Sequence, residues 1–166
     1  MKLSKIVMTS AIIFILSSCT LTESSVDPSS IPTPDIYIET QIGKYLGVSA
    51  PKGWNSFKTN EQIALDIQNI SEKPITSDAD FDARIFLLSN DEWIEVKNKA
   101  VYEDDQITLV ADRDNIVENF AATIVTPDLA NYEVTSHIRV YVFGNLVENE
   151  KETKRVASFI DIQLNP

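Results

Sequence analysis

The chain has 166 residues, of which 43% are hydrophobic, and its 14 basic and 25 acidic side chains give a formal net charge of -11. This length and composition fit one globular domain with a short additional segment. With one Cys, one His and four Gly, the sequence lacks the residues for a disulfide framework, a Cys/His zinc site or a glycine-rich nucleotide loop.

The first eighteen residues have the pattern of an export signal. Lys2 and Lys5 precede an apolar run from Ile6 to Leu16, and small residues follow that run. A helix that crosses a bilayer needs about 20 apolar residues, so this run is too short to span one. The pattern therefore predicts a signal peptide over residues 1–18, which is cleaved and leaves no transmembrane helix.

An aliphatic residue, two small residues and a cysteine end this segment: Leu16, Ser17, Ser18 and Cys19. They resemble the lipobox of bacterial lipoproteins. The resemblance implies that the Cys19 sulfur receives a diacylglyceryl group and that a signal peptidase cuts just before it. The location it implies is the bacterial cell envelope, and the outer membrane in a Gram-negative host, because Thr20 and not Asp follows the cysteine. The alternative is an ordinary secretory signal with a chance cysteine.

Cleavage before Cys19 would leave 12 basic and 25 acidic side chains, a net charge of -13. This charge makes nucleic acid and anionic lipid surfaces poor partners. The only cysteine is assigned to lipid, so the fold must depend on its hydrophobic core and not on disulfides. The partners we expect are the membrane, through the lipid on Cys19, and a protein of the envelope. We expect no cofactor.

The segment after Cys19 has the composition of a tether. Ten of the sixteen residues from 20 to 35 are Ser, Thr or Pro. Such a segment buries too little apolar surface to repay the entropy of ordering. We therefore predict that residues 19–35 form a lipidated, disordered tether, which reaches up to roughly 50 Å at about 3.1 Å per residue.

Residues 36–166 are predicted to form one domain whose dominant hydrophobic period is two, as in β-strands. The clearest strand is Gln62 to Asn69. The segments 138–143 and 156–164 are expected to form a closing hairpin joined around residues 144–154. Weaker strand candidates are 36–40, 44–49, 83–88, 92–98, 106–111 and 119–125. Turn-forming residues at 51–53, 71–74, 89–91 and 127–128 separate them.

The segment 112–122 is the best rival for a helix, with Asp114 as a cap, and the sequence leaves helix and strand open there. Strands spaced about every 8 to 12 residues predict an all-β, antiparallel β-sandwich. The stretch 63–75 resembles the second strand and exit turn of bacterial immunoglobulin-like domains, and 138–144 resembles their penultimate strand. The resemblance implies an immunoglobulin-like or fibronectin-III-like sandwich.

Two acidic stretches of the sequence are candidate cation sites. Asp78, Asp80 and Asp82 alternate like the first three ligands of a calcium loop. Ala83 stands where that loop needs Gly, and Ser89 where it needs Glu, so an EF-hand is excluded. A looser calcium site and an acidic loop both stay open, and we predict no metal site. Residues 103–105 are interpreted as a solvated acidic turn.

His137 is the only histidine, the residue type that most often acts as a general base near neutral pH. Ser136 beside it would point to the opposite face of a strand, and no Gly-x-Ser-x-Gly elbow exists to expose another serine. We therefore interpret His137 as a surface or strand-edge residue and predict no catalytic residues. A glycosidase pair of carboxylates stays open, because its spacing depends on the fold.

Six aromatic residues are candidates for a binding surface: Trp54, Phe57, Trp93, Tyr102, Tyr141 and Phe143. Alternation places Trp93, Tyr141 and Phe143 opposite apolar neighbours; packing inside the fold is the favoured interpretation, and an interaction surface formed by these three residues is the alternative. The leading hypothesis is a lipid-anchored envelope protein with a non-catalytic, immunoglobulin-like interaction or structural module. The alternatives are a lipoprotein that binds a sugar or small solute, and an envelope hydrolase.

Overall fold

The structure is a computed structural model, which describes residues 41–51, 54, 56–102, 105–110, 120–130, 136–149 and 152–165. These residues form an all-β fold without helices. The strands are β1 (Gln41–Ile42), β2 (Leu46–Ser49), β3 (Ser56–Lys58), β4 (Gln62–Asn69), β5 (Ile75–Asp78), β6 (Arg84–Ser89), β7 (Glu92–Val96), β8 (Gln106–Leu109), β9 (Phe120–Val125), β10 (Ser136–Asn149) and β11 (Glu152–Asn165).

The described strands form two sheets. The larger sheet has the order β1-β11-β10-β5-β8, with β3 added to β11, β6 added to β10, and β7 added to β6. The smaller sheet has the order β2-β4-β9. The long β10–β11 hairpin is the centre of the larger sheet, because β10 pairs with β6 near its start and with β5 near its end.

The two strongest predictions from the sequence are confirmed. Strand β4 has the predicted bounds, and β10 pairs antiparallel with β11. The predicted connection around residues 144–154 is wrong, because the strands continue through it to the pair Asn149 and Glu152. Gly144 lies within β10, and a Cβ atom there would be 2.6 Å from Ile75 Cγ2. Glycine is therefore required for the close approach of β5 and not for a turn.

Three strands were not predicted: β1, β3 and β5. Two of them, β1 and β3, pair parallel with β11, so the larger sheet is not purely antiparallel. Strands of two and three residues carry no readable period, and only their pairing with β11 defines them. The signal peptide, the lipobox, the tether and the predicted strand 36–40 lie outside the described residues. So does 112–119, whereas 120–122 begin β9 as strand.

The main core lies between the two sheets. Ile63, Leu65 and Ile67 of the smaller sheet belong to one buried cluster with Val140 and Val142 of the larger sheet. Their alternation with more polar residues directs one side of each strand inward. Each such side chain stabilises the fold by about 1.5–3 kcal/mol when fully buried. Two sheets that share one core form a sandwich-like arrangement.

The turn between β6 and β7 determines which side of the larger sheet Trp93 occupies. Asn90 and Asp91 have φ angles of 51° and 64°, as in a two-residue type I′ hairpin turn. This turn was predicted at residues 89–91. It sets the pairs Leu88 with Trp93 and Phe86 with Glu95, and thereby places Trp93 on the side away from the core.

Candidate interaction surface

The outer side of the larger sheet carries aromatic and arginine side chains where a solvent-facing sheet usually carries mixed polar residues. In β10, Arg139, Tyr141 and Phe143 alternate with the core residues Val140 and Val142. Neighbouring strands add further rings and arginines. We name this surface the aromatic–arginine face, and its members are Arg84, Phe86, Trp93, Arg139, Tyr141, Phe143, Arg155 and Phe159.

Strand register brings these residues together from four strands. Arg139 lies between Phe86 of β6 and Asp161 of β11. Two residues further along β10, Tyr141 lies between Arg84 of β6 and Phe159 of β11. Rows of directly opposed side chains are the units that stabilise a sheet, and here each row contains one arginine and at least one ring.

Tyr141 is at the centre of the aromatic packing. Its ring centroid lies 5.8 Å from that of Phe86 in an edge-on arrangement, 6.2 Å from that of Phe143 in a stacked one, and 5.4 Å from that of Phe159. These distances are within the range in which aromatic pairs attract beyond simple burial. The rings therefore form a second, smaller core on the outer side of the sheet.

Three arginines cover this aromatic layer. The guanidinium carbon of Arg139 lies 4.8 Å from the ring centroid of Trp93 and 4.4 Å from that of Phe159. Those of Arg155 and Arg84 lie 4.9 Å and 5.9 Å from the centroid of Phe143. These are cation–π distances. The whole sequence has only four arginines, so three of the four are gathered on one face of an acidic protein.

Two aspartates provide the opposite charge. Arg139 Nε donates to Asp161 Oδ1 at 2.7 Å, and its Nη2 donates to Asp161 Oδ2 at 2.8 Å. Burial lowers the pKa of Arg139. The hydrogen bonds and charge of Asp161 raise this pKa by a larger amount, so the net shift is upward. Asp82 interacts with both Arg84, at 3.6 Å, and Arg155.

Tyr141 and Phe143 are packed inside the fold, in agreement with the favoured interpretation of the sequence. These residues are only 2% and 1% exposed, because neighbouring rings and the guanidinium groups of Arg84 and Arg155 pack against them. Trp93 is partly buried on β7, and its indole Nε1 is a buried atom without a hydrogen-bond partner among the described residues. The accessible parts of the face are the partly buried rings of Trp93 and Phe159 and the rim, where the side chains of Arg84, Arg155 and Asp82 are 33%, 38% and 40% exposed.

The three alternating aspartates do not converge on one point. Asp80 Oδ1 accepts a hydrogen bond from the backbone N–H of Asp82, while the carboxylate of Asp82 faces the two arginines. Asp78 is exposed at the end of β5. In the described parts of the chain, no group of three or more His, Cys, Asp or Glu residues is placed to hold a metal ion.

The other predicted residues are dispersed. Ser136 Oγ donates to the backbone carbonyl of Leu88, and His137 is partly buried beside it in β10. Trp54 is 58% exposed, with its ring centroid 6.0 Å from that of the buried Phe57. Tyr102 accepts a hydrogen bond from Asn98 and is not part of the face. Asp105 is exposed and is not part of the face either, and residues 103 and 104 lie outside the described residues.

The sequence contained a signal for one arginine of the face. Alternation in β10 places Arg139 on the same side as Tyr141 and Phe143. Arg84 and Arg155 reach the face only through the pairing of β6 and β11 with β10, which no local pattern reveals.

No protein-family model matches the sequence, and no curated protein matches it. Among the described residues there is no helix long and apolar enough to span a membrane. The lipidation motif Leu16, Ser17, Ser18 and Cys19 lies outside the described residues.

Proposed function

We propose that the chain is a lipid-anchored protein of the bacterial cell envelope, whose immunoglobulin-like β-sandwich is a non-catalytic interaction module. The lipobox ending at Cys19 supports the anchor. The Ser-, Thr- and Pro-rich residues 20–35 support a tether between lipid and domain. The two sheets around one core support the sandwich.

The observation that carries the interaction role is the accessible part of the aromatic–arginine face, which combines the partly buried rings of Trp93 and Phe159 with Arg84 and Arg155. Trp, Tyr and Arg are the residue types that contribute most to binding energy at protein interfaces. Lys and Glu, which dominate ordinary surfaces, are depleted at the centres of such interfaces. The face has an interface-like composition on a chain whose acidic side chains outnumber its basic ones by 25 to 14.

The rim of the face indicates the chemistry of the partner. The guanidinium carbons of Arg84 and Arg155 lie at cation–π distances from the Phe143 ring, and both side chains keep about a third of their surface exposed. Guanidinium groups recognise carboxylates through paired hydrogen bonds. The partner is therefore a protein that presents Asp or Glu side chains beside an apolar surface.

The experiment is crosslinking in intact cells, followed by capture of the full-length protein and mass spectrometry. The wild-type protein is compared with Cys19→Ser, which prevents lipidation. We expect a stoichiometric envelope protein with the wild type and its loss with Cys19→Ser. The absence of any partner from both samples would contradict the interaction role. Retention of correctly cleaved Cys19→Ser in the membrane fraction would contradict the lipid anchor.

The exposed ring of Trp54 favours a second candidate, a lipoprotein that binds sugars. An exposed indole can stack against the apolar face of a sugar ring, and Trp54 is 58% exposed. Titration of the protein with a panel of glycans, followed by tryptophan fluorescence, tests this function. A saturable change that Trp54→Ala removes would support it, and a flat response across the panel would contradict it.

A further inference from the structure

Strand β7 forms one edge of the larger sheet. Among the described residues its only partner is β6. Because the turn has two residues, Ser89 and Glu92 are the first hydrogen-bonded pair of the β6–β7 ladder. Backbone groups then alternate in direction along β7. The N–H and C=O groups of Trp93 and Glu95 therefore point to the open edge.

Ile94 and Trp93 are the two large apolar side chains at the centre of this edge strand. Ile94 lies on the same side of the sheet as its buried neighbour Leu87, yet it is 46% exposed. Trp93, on the other side, has a buried indole N–H without a hydrogen-bond partner among the described residues. A partner strand on this edge would remove the apolar surface of Ile94 from water, which is favourable.

We propose that β7 pairs with β7 of a second copy of this chain, antiparallel and with Ile94 opposite Ile94. The two sheets would then continue into one another across a two-fold axis, which is the usual symmetry of a homodimer. Trp93 of one copy would lie opposite Glu95 of the other and form the narrow, hydrogen-bonded pair. The four edge N–H groups would all find carbonyl partners.

Side-chain complementarity selects this register. Pairing centred on Ile94 places Trp93 of one copy opposite Glu95 of the other. On the same side of the sheet, Asp91 of one copy is opposite Lys97 of the other. This register also opposes residues that do not repel each other at either pair. A register centred on Glu95 would oppose two glutamates, and one centred on Trp93 would oppose Glu95 with Asp91. Like charges directly opposite each other destabilise a strand pair.

This pairing does not depend on the lipid anchor or on the partner of the aromatic–arginine face. It uses the backbone edge of β7, and Trp93 is the one residue of β7 that also belongs to the aromatic–arginine face. Its failure would therefore leave the proposed function intact, and the absence of an envelope partner would leave the pairing intact.

Disulfide crosslinking of the full-length chain tests the register. In a non-hydrogen-bonded antiparallel pair the two Cα atoms are about 4.5 Å apart, which a disulfide can bridge. We expect membranes containing Ile94→Cys to give about tenfold more disulfide dimer under mild oxidation than membranes containing Val101→Cys, because pairing raises the effective concentration of the thiols. Val101 is 94% exposed and is the control for random collision. Equal crosslinking of the two variants would overturn the proposal.

A backbone substitution separates pairing from side-chain contact. The N–H of Glu95 is not used by β6, so proline is tolerated there as on other edge strands, but it removes an edge donor. Added to Ile94→Cys, Glu95→Pro should abolish the dimer, and the matched change Glu95→Gln should retain it. Thermal unfolding of each variant confirms that the domain is folded. Persistence of the dimer in a folded Glu95→Pro variant would also overturn the proposal.

Discussion

Arg139 and Asp161 form a paired hydrogen bond across the β10–β11 hairpin while the guanidinium of Arg139 is held between two rings. The two N···O distances are 2.7 Å and 2.8 Å, and the side chain of Arg139 is only 3% exposed. The ring centroids of Trp93 and Phe159 lie 4.8 Å and 4.4 Å from the guanidinium carbon. A buried cation in this position needs its counter-ion, which makes the pair a structural element of the aromatic–arginine face.

The first prediction concerns this pair. Asp161→Asn keeps the shape of the side chain but removes the charge and one of the acceptors. We expect it to lower the free energy of unfolding by about 2 kcal/mol, as for other hydrogen bonds to charged groups. Urea unfolding measures the change. The exposed Asp78→Asn is the matched control and should change the stability little. A loss in Asp161→Asn no larger than in the control would contradict the role of the pair.

The second prediction concerns the close approach of β5 to β10. A Cβ at Gly144 would lie 2.6 Å from Ile75 Cγ2, whereas a Cβ at Gly47 would have no neighbour nearer than 3.6 Å. We expect Gly144→Ala to destabilise the domain by about 1–3 kcal/mol through overpacking. Gly47→Ala should cost much less. Similar midpoints of thermal unfolding for the two variants would show that the approach of Ile75 is not tight.

The third prediction concerns alkaline pH. Burial raises the pKa of Tyr102 above the ordinary tyrosine value of 10.0; the hydrogen bond from Asn98 lowers this pKa, and the charge of Asp80 raises it. The folded protein therefore holds this proton more tightly than the unfolded chain. Its contribution to stability is complete below pH 10 and is lost as the pH rises through the pKa of the folded state.

The variant Tyr102→Phe removes the titrating group. We expect the stability of the wild type to decrease more steeply above pH 10 than that of Tyr102→Phe. Below that pH the variant should be less stable by about 1 kcal/mol, because Asn98 loses an acceptor. Urea unfolding at a series of pH values gives both quantities. Parallel pH profiles would refute the assignment to Tyr102.

The fourth prediction concerns the turn before β7. Asp91 has a φ of 64°, a left-handed conformation that costs residues other than glycine about 1–2 kcal/mol. Asp91→Gly should therefore raise the stability, with a gain of up to about 1 kcal/mol after the added entropy of glycine in the unfolded chain. Differential scanning calorimetry would show a higher midpoint. A lower midpoint would mean that the Asp91 side chain stabilises the turn.

The sequence predicts those parts of the fold that are determined by residues close together along the chain. The alternation of Ile63, Leu65 and Ile67 determines the bounds of β4, and the residues Asn90 and Asp91 determine the turn between β6 and β7. Both depend on neighbours along the chain.

Features that depend on pairing between distant segments were missed. Gly144 reads as a turn residue, and only the contact with Ile75, far away in sequence, shows why it lies in a strand. Alternation correctly places Tyr141 on the outer side of the sheet but does not reveal which neighbours bury it there. Arg84 and Phe159 flank it only through strand register.

The most direct test of the proposed interaction role is the amount of partner captured when the rim of the aromatic–arginine face is changed. Crosslinked complexes of wild type and the double variant Arg84→Gln, Arg155→Gln are quantified by mass spectrometry. The control is Lys44→Gln, Lys58→Gln, which removes the same charge from exposed positions off the face. We predict a loss of about tenfold with the arginine variant, because arginines are among the residues that contribute most to binding energy at interfaces, and no loss with the control. Equal capture by the three folded proteins would contradict the assignment of this face as the interaction surface.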